Sequence, residues 1–247
     1  MIEIKLSKEF QFLTEHYEEN LSLCRIGGYR DGGYVLPFDA ILTTKKLISI
    51  GIGSTARFES DFYDLNQNTE ILMIDKGLSR MRIIARTVYH FLKDRDQGYN
   101  SLIENITLFR MIKHAKIIRK FIDINYGIDK LISEEDESVI LKMDIEGHEY
   151  SQINLLEKLQ KSFSVLCIEF HDLQDSKNLE LLKHFVESTD LILCYISINE
   201  TSIKNGYPSI LELTFCNKQY LNRTNGYLQS SNVPGRITTQ FYRLNAE

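Results

Sequence analysis

From about residue 45 to residue 218 the chain alternates short apolar, β-branched runs with longer amphipathic stretches, and this alternation constrains the fold more than any other feature. KKLISIGIGS (45–54) closes on glycines and predicts a buried strand entering a tight turn. RFESDFYDLN then sets Phe58, Phe62 and Leu65 at i, i+4 and i+7, a helical face. EILMIDKG (70–77) predicts a second strand ending in Asp75, MRIIARTVYHFLKD (81–94) a helix, and NITLFRMI (105–112) a third strand. Residues 115–134 read as helical or irregular, without firm boundaries. SVILKMDIEG (138–147), FSVLCIEFHD (163–172), DLILCYISIN (190–199) and SILELTFCNK (209–218) are the remaining strands. Helices HEYSQINLLEKLQ (148–160) and KNLELLKHFVEST (177–189) join the first three of these. Helices between strands imply βαβ crossovers and a parallel sheet. The last two strands are joined through N-G-Y-P with no helix, which predicts one antiparallel strand near the C-terminal edge.

The expected fold is therefore α/β, a Rossmann-like, seven-stranded, mostly parallel sheet with helices on both faces. No repeat, low-complexity tract or linker interrupts it, so residues 45–247 read as one domain preceded by an N-terminal extension, 1–44, packed on the ligand site. With 247 residues, 43% of them hydrophobic, the chain can bury a full core. A formal charge of −5 argues against a nucleic-acid partner. No apolar run approaches the roughly 20 residues of a membrane span, and charges in MIEIKLSKEFQF stand where a secretory signal would be apolar. Cys24, Cys167, Cys194 and Cys216 form no C-x-x-C pair and read as reduced thiols in a cytoplasmic protein.

An open parallel sheet binds its ligands beyond the carboxyl ends of its strands, and here those ends are polar. They carry Gly51-Ile52-Gly53-Ser54, Asp75, Asp144-Ile145-Glu146-Gly147, Glu169-Phe170-His171-Asp172 and Asn199-Glu200. Gly51 and Gly53 allow close backbone approach to a ligand. Asp75 follows by about 20 residues, the spacing at which nucleoside-binding folds place an acid on the ribose hydroxyls. The full G-x-G-x-x-G is absent, and a tight strand-to-helix turn with a flanking Asp reads as well. LKMDIEGHEY packs Lys142, Asp144, Glu146 and Glu149 beside a glycine, with Lys142 and Asp144 on one side of the strand.

At these residues the chain resembles the FkbM-type methyltransferases, a class I family dependent on S-adenosylmethionine (AdoMet), whose box reads K-x-D-x-E-G-x-E. Lys142, Asp144, Glu146, Gly147 and Glu149 match it. RIGGYRDGGYVLP (25–37), IGIGSTARFESDF, CIEFHDL and YPSILELTF resemble further boxes of sugar-modifying relatives, in order, over residues 25–218. The sixth strand departs from the family's H-x-N-N, keeping only Asn199. The resemblance implies AdoMet as cofactor, with Gly51, Gly53 and Ser54 at its methionyl end and Asp75 at its ribose. It also implies Asp31 on its amino group and Tyr34 closing over the site, although Asp31-Gly32-Gly33 reads as a plain hairpin turn too. The implied activity is O-methylation of a sugar hydroxyl, on a small-molecule or nucleotide-linked sugar of capsule or surface-polysaccharide synthesis. An NAD(P)-dependent oxidoreductase and a non-catalytic subunit retaining the fold are the alternatives.

Methyl transfer to a hydroxyl needs a base to take the proton or a metal to acidify it. His171 is the expected base, with Glu169 orienting it and Asp144 completing the acceptor end. The alternative is Mg²⁺ or Mn²⁺ held by Asp144, Glu169, His171 and Asn199, a set too rich in oxygen for Zn²⁺. His148 reads as solvent-facing or as supporting the site rather than catalytic, and His16, His90, His114 and His184, on helical or basic stretches, read as without a functional role. Lys76, Arg80, Arg82 and Arg86 read as a solvated helix face or a landing site for phosphates. Tyr207, Tyr220, Tyr227 and Tyr242 read as core edge, sugar-stacking rim or dimer surface, so a homo-oligomer is among the expectations.

Overall fold

A computed structural model describes residues 8–18, 23–27, 32–53, 55–78, 84–85, 88–89, 92–93, 95–198, 202–204 and 207–220. In chain order they form α1 (Gln11–Glu15), β1 (Leu23–Gly27), β2 (Gly33–Pro37), α2 (Phe38–Thr43), β3 (Lys46–Ile50), α3 (Arg57–Leu65) and β4 (Glu70–Ile74). Next come α4 (Arg95–His114), β5 (Lys116–Ile118), β6 (Val139–Met143), α5 (Ile153–Lys158), β7 (Phe163–Phe170) and α6 (Ser176–Ser188). The chain continues with β8 (Ile192–Ile198), β9 (Ile203–Lys204), β10 (Tyr207–Pro208) and β11 (Leu211–Cys216).

Seven strands make one sheet in the order β5-β4-β3-β6-β7-β11-β8. All neighbours are parallel except β11, which is antiparallel to both β7 and β8. The antiparallel strand thus lies one place in from the edge. Without it, the order is that of a doubly wound sheet, with the switch point between β3 and β6. Residues 17–18 cover part of the outer edge of β8, where the Glu18 N–H donates to the Leu193 carbonyl at 3.0 Å. An edge so covered offers less template for pairing with another chain.

Strand alternation divides the interior in two. Ile48, Ile50, Leu141, Met143, Leu166 and Ile168 face α1, α5 and α6 in one apolar core. Asp175 caps α6 by accepting the Lys177 N–H at 2.9 Å. Leu47, Ile140, Val165 and Cys167 face α2, α3, α4 and the antiparallel β1–β2 hairpin. This hairpin lies across β7, β8 and β11, and Thr214 Oγ1 donates to the Val35 carbonyl at 2.7 Å. No described helix is long and apolar enough to cross a membrane, and all four cysteines are buried free thiols.

One expected strand is corrected. Residues 105–112 belong to α4, which buries Asn105, Leu108 and Met111 at i, i+3 and i+6 and leaves Ile106 exposed. The run satisfies a helical face as well as a strand, and an eight-residue window does not separate them. The strand itself is β5, within the stretch 115–134 read as helical or irregular. The expected helix over 148–160 is a 3₁₀ turn, Glu149–Gln152, followed by α5. Most of the expected helix 81–94 lies outside the described residues.

Candidate active site

Beyond β3 the backbone turns at Gly51 with φ +76°, and a Cβ there would stand 1.7 Å from the Asp144 carbonyl oxygen. Only glycine fits so close an approach. The loop is held by the Gly51 N–H donating to the Ile74 carbonyl at 3.0 Å and by Lys142 Nζ donating to the Gly51 carbonyl at 2.5 Å. Gly53, also at positive φ (+61°), differs: a Cβ there meets nothing within 4 Å. Asp75 ties the loop from β4, with Oδ2 accepting the Gly53 N–H at 2.9 Å and Oδ1 the Gly77 N–H at 2.5 Å. Between these residues and the β6 end lies a cavity of about 340 Å³, within the ordinary range of ligand pockets. Ile50, Ile74, Phe121, Ile122 and Ile145 give it an apolar wall, while Asp75 and Asp144 give it acids and Lys76 and Lys120 bases.

Next to this cavity the loop after β6, the 3₁₀ turn Glu149–Gln152 and the end of β7 bring four acids around one imidazole. After β6 the chain turns through Glu146 (φ +54°) and Gly147 (φ +97°), which brings Glu149 back under the turn. Glu149 is fully buried, and its Oε1 accepts the N–H groups of Ile145 (3.1 Å) and Gly147 (3.3 Å). The same oxygen accepts His171 Nδ1–H at 2.9 Å, which assigns the proton to Nδ1. Tyr150 Oη donates to the His171 carbonyl at 2.5 Å and fixes the backbone there. His171 Nε2 lies 3.8 Å from Asp144 Oδ1, 3.7 Å from Glu146 Oε2 and 3.7 Å from Glu169 Oε1. Burial lowers the His171 pKa, but the Glu149 hydrogen bond and the charges of Glu149, Glu169 and Asp144 outweigh it and raise it to about 9. Burial raises the Asp144 carboxyl, against the pull of Lys142 and His171.

Behind the glycine loop lies a polar layer on the hairpin side of the sheet. Lys142 is buried, with Nζ 5.4 Å from the centre of the Tyr34 ring. Burial raises the carboxyl of Glu59 on α3, opposed by Lys142 and by the hydrogen bond from Ser49 Oγ. Glu212 on β11 pairs across from Glu169 on β7. Burial raises it to about 8, with Arg25 and Lys142 opposing and Glu169 and Asp144 adding to the rise.

Asp75, Asp144, Glu169, His171 and both glycines come together at the strand ends. Tyr34 does not close over the site: it is 1% exposed and packs edge-on against Phe58, ring centres 5.4 Å apart, behind Lys142. Burial first, then the charges of Asp144, Glu212 and Glu169, push its phenol well above the usual range. Its place on a β-strand facing the sheet made it core. Asp31, Ser54, Asn199, Arg80, Arg82, Arg86, His90, Tyr227 and Tyr242 lie outside the described residues. His148 is exposed, edge-on to Phe121 at 4.8 Å. Tyr207 and Tyr220 serve the core edge, Tyr207 Oη donating to the Leu173 carbonyl at 3.0 Å and Tyr220 Oη pairing with Ser138 Oγ at 3.0 Å. The roles of Glu149 on His171 and of Lys142 on the Gly51 carbonyl were not read from the sequence. Nor was the layer of Arg25, Glu59 and Glu212.

No family model matches the chain, and no curated protein matches it. Among solved structures it is similar to precorrin-6y C5,15-methyltransferase from Geobacter metallireducens GS-15, at 15% identity and TM-score 0.41, over 73% of this chain and 85% of that one. It is also similar to the fibrillarin/Nop5p complex (10% identity, TM-score 0.38, 70% and 72% covered). A third is a mutant of the 16S rRNA (adenine(1408)-N(1))-methyltransferase with cosubstrate SAM from Catenulisporales acidiphilia (12% identity, TM-score 0.36, 79% and 97% covered). Likenesses this distant assign neither family nor substrate.

Proposed function

We propose that this chain is a cytoplasmic AdoMet-dependent O-methyltransferase acting on a sugar hydroxyl, carried by a nucleotide-linked sugar of capsule or surface-polysaccharide synthesis. The observation that carries the reading is one cavity lined by Gly51, Gly53 and Asp75 on one side and by Asp144 on the other, with His171 Nε2 3.8 Å from Asp144 Oδ1. The residues fit the cofactor. Gly53 leaves room beside its Cα for the methionyl chain, which Asp31 and Ser54 extend in this reading. Asp75 keeps lone pairs beyond its two backbone bonds for the ribose hydroxyls. Ile74, Phe121 and Ile122 offer an apolar wall to the adenine. Bound there, AdoMet supplies an electrophilic methyl group. Asp144 and Glu169 accept hydrogen bonds from a polyhydroxylated acceptor and orient the reacting hydroxyl. The sugar class is supported by the resemblance of the five boxes and by the acceptor-rich lining.

Calorimetry with AdoMet, S-adenosylhomocysteine and NADH tests the cofactor. Gly53→Val and Asp75→Ala should each weaken AdoMet binding at least tenfold while leaving the circular dichroism spectrum unchanged. Equal affinity in both variants, or binding of NADH in place of AdoMet, sinks the assignment. Transfer of labelled methyl to nucleotide-linked sugars, with RNA as comparison, tests the substrate class; labelled RNA without labelled sugar refutes it.

A further inference from the structure

The acceptor end holds polar atoms that lack protein partners. His171 is 8% exposed, and its Nδ1 is occupied by Glu149. Its Nε2 faces Asp144, Glu146 and Glu169 at 3.7–3.8 Å, beyond hydrogen-bond reach, and no described residue gives it a hydrogen bond. Glu149 adds a second orphan, because its Oε2 is buried without a partner. One ligand atom each of Asp144, Glu149 and His171 lies within 4.8 Å of the others. A buried carboxylate oxygen left unsatisfied is costly, and an imidazole Nε2 ringed by three acids just beyond hydrogen-bond reach leaves a gap that a cation fits.

We propose that this cluster is a binding site for a hard divalent cation, Mn²⁺ or Mg²⁺, taken by His171 Nε2, Asp144 and Glu169. Glu149 is the positioning residue: by accepting Nδ1–H it fixes the tautomer that leaves Nε2 as a ligand, the carboxylate–histidine–metal arrangement. An octahedral ion with ligands at about 2.1 Å holds cis ligands about 3.0 Å apart. The three oxygens stand 3.7–3.8 Å from Nε2, so each moves in by less than an ångström to take a cis position. Carboxylates with a single imidazole select Mn²⁺ or Mg²⁺ over thiophilic metals. No thiolate is offered, since all four cysteines are buried free thiols and none belongs to this cluster. Glu146 is 86% exposed at the side chain and stands at the open side, where it can join the ion or yield to an acceptor oxygen. A cation here acidifies an acceptor hydroxyl directly.

The site is tested on the full chain, freed of metal by chelator and without AdoMet, so its failure and a failure of the cofactor assignment are separable. Mn²⁺ titration followed by electron paramagnetic resonance should show one bound ion per chain, with spin-echo modulation from one imidazole nitrogen. Asp144→Asn and Glu169→Gln should each weaken binding at least tenfold, with circular dichroism unchanged. His171→Gln should remove the nitrogen modulation. Glu149→Gln should weaken binding about 10- to 100-fold, while Glu149→Asp restores part of the affinity together with the nitrogen modulation. No binding at millimolar Mn²⁺, no nitrogen modulation, or binding indifferent to Asp144→Asn overturns the proposal.

Discussion

Gly51→Ala separates two reasons for a glycine in this loop. Its φ of +76° costs an L-residue about 1–2 kcal/mol. The added Cβ would also stand 1.7 Å from the Asp144 carbonyl, so the β3 and β6 ends must part by more than an ångström. Forcing a close-packed region apart costs a further ~1–3 kcal/mol, giving ~2–5 kcal/mol in all. Gly53→Ala carries the conformational part alone, since nothing lies within 4 Å of its Cβ. For a chain of this size each kcal/mol moves Tm by about 2–4 °C. Gly51→Ala should therefore melt about 4–20 °C below the wild type, and Gly53→Ala about 2–8 °C below. Differential scanning calorimetry of both variants beside the wild type reads the difference. Equal melting temperatures for the two variants would refute the argument, because they would show that the contact with Asp144 constrains nothing.

Two further perturbations address the buried charges. Lys142→Met keeps the length of the side chain but leaves the Gly51 carbonyl without its Nζ donor and Glu59 without its cation; urea unfolding should show a loss of about 3–5 kcal/mol, and a loss below about 1 kcal/mol contradicts it. Glu59 has a folded-state carboxyl raised by burial, so the unfolded chain ionises first as pH rises. Its contribution is most favourable below the ordinary carboxyl pKa of about 4.3 and declines as pH climbs from there toward the folded value. Glu59→Gln should thus lose less stability than the wild type between pH 4 and pH 7, and parallel pH profiles of the urea midpoint would count against the assignment.

The six long strands were legible because a strand buried on both faces must be apolar almost throughout, as Leu47–Ile50, Val139–Met143 and Val165–Phe170 are. Local pattern failed where the physics is local in neither direction. Residues 105–112 satisfy both periods, and the three-residue β5 is too short to have one. At the site, the polar strand ends stood out against the apolar runs they close. Partnerships were harder to read. Glu149 reaches His171 only because Glu146 and Gly147 reverse the chain, and nothing in E-G-H-E says where the second glutamate will point. Lys142 and Glu212 have the right strand phase to share a face, yet which face is polar depends on the hairpin that covers it. That information is tertiary.

The two faces of the sheet show why this layer stands where it does. The strands' side chains under α1, α5 and α6 that make the core are aliphatic and aromatic, and nothing in packing prevents the opposite face from being the same. Instead, the hairpin side buries Lys142 among Glu59, Glu212 and Glu169, a choice that well-packed hydrophobic residues commonly outperform in stability. These charges are not scattered over that face. Lys142 touches the Gly51 carbonyl, Ser49 and Glu59 lie beside it, and Glu169 and Glu212 pair one step from His171. A buried lysine bonded to the carbonyl of a positive-φ glycine holds the loop shut against Asp144, while the neighbouring acids offset its charge. The layer thus fixes the distance between the proposed cofactor corner and the proposed acceptor end, a separation that apolar packing, free to slide by fractions of an ångström, would leave less closely defined.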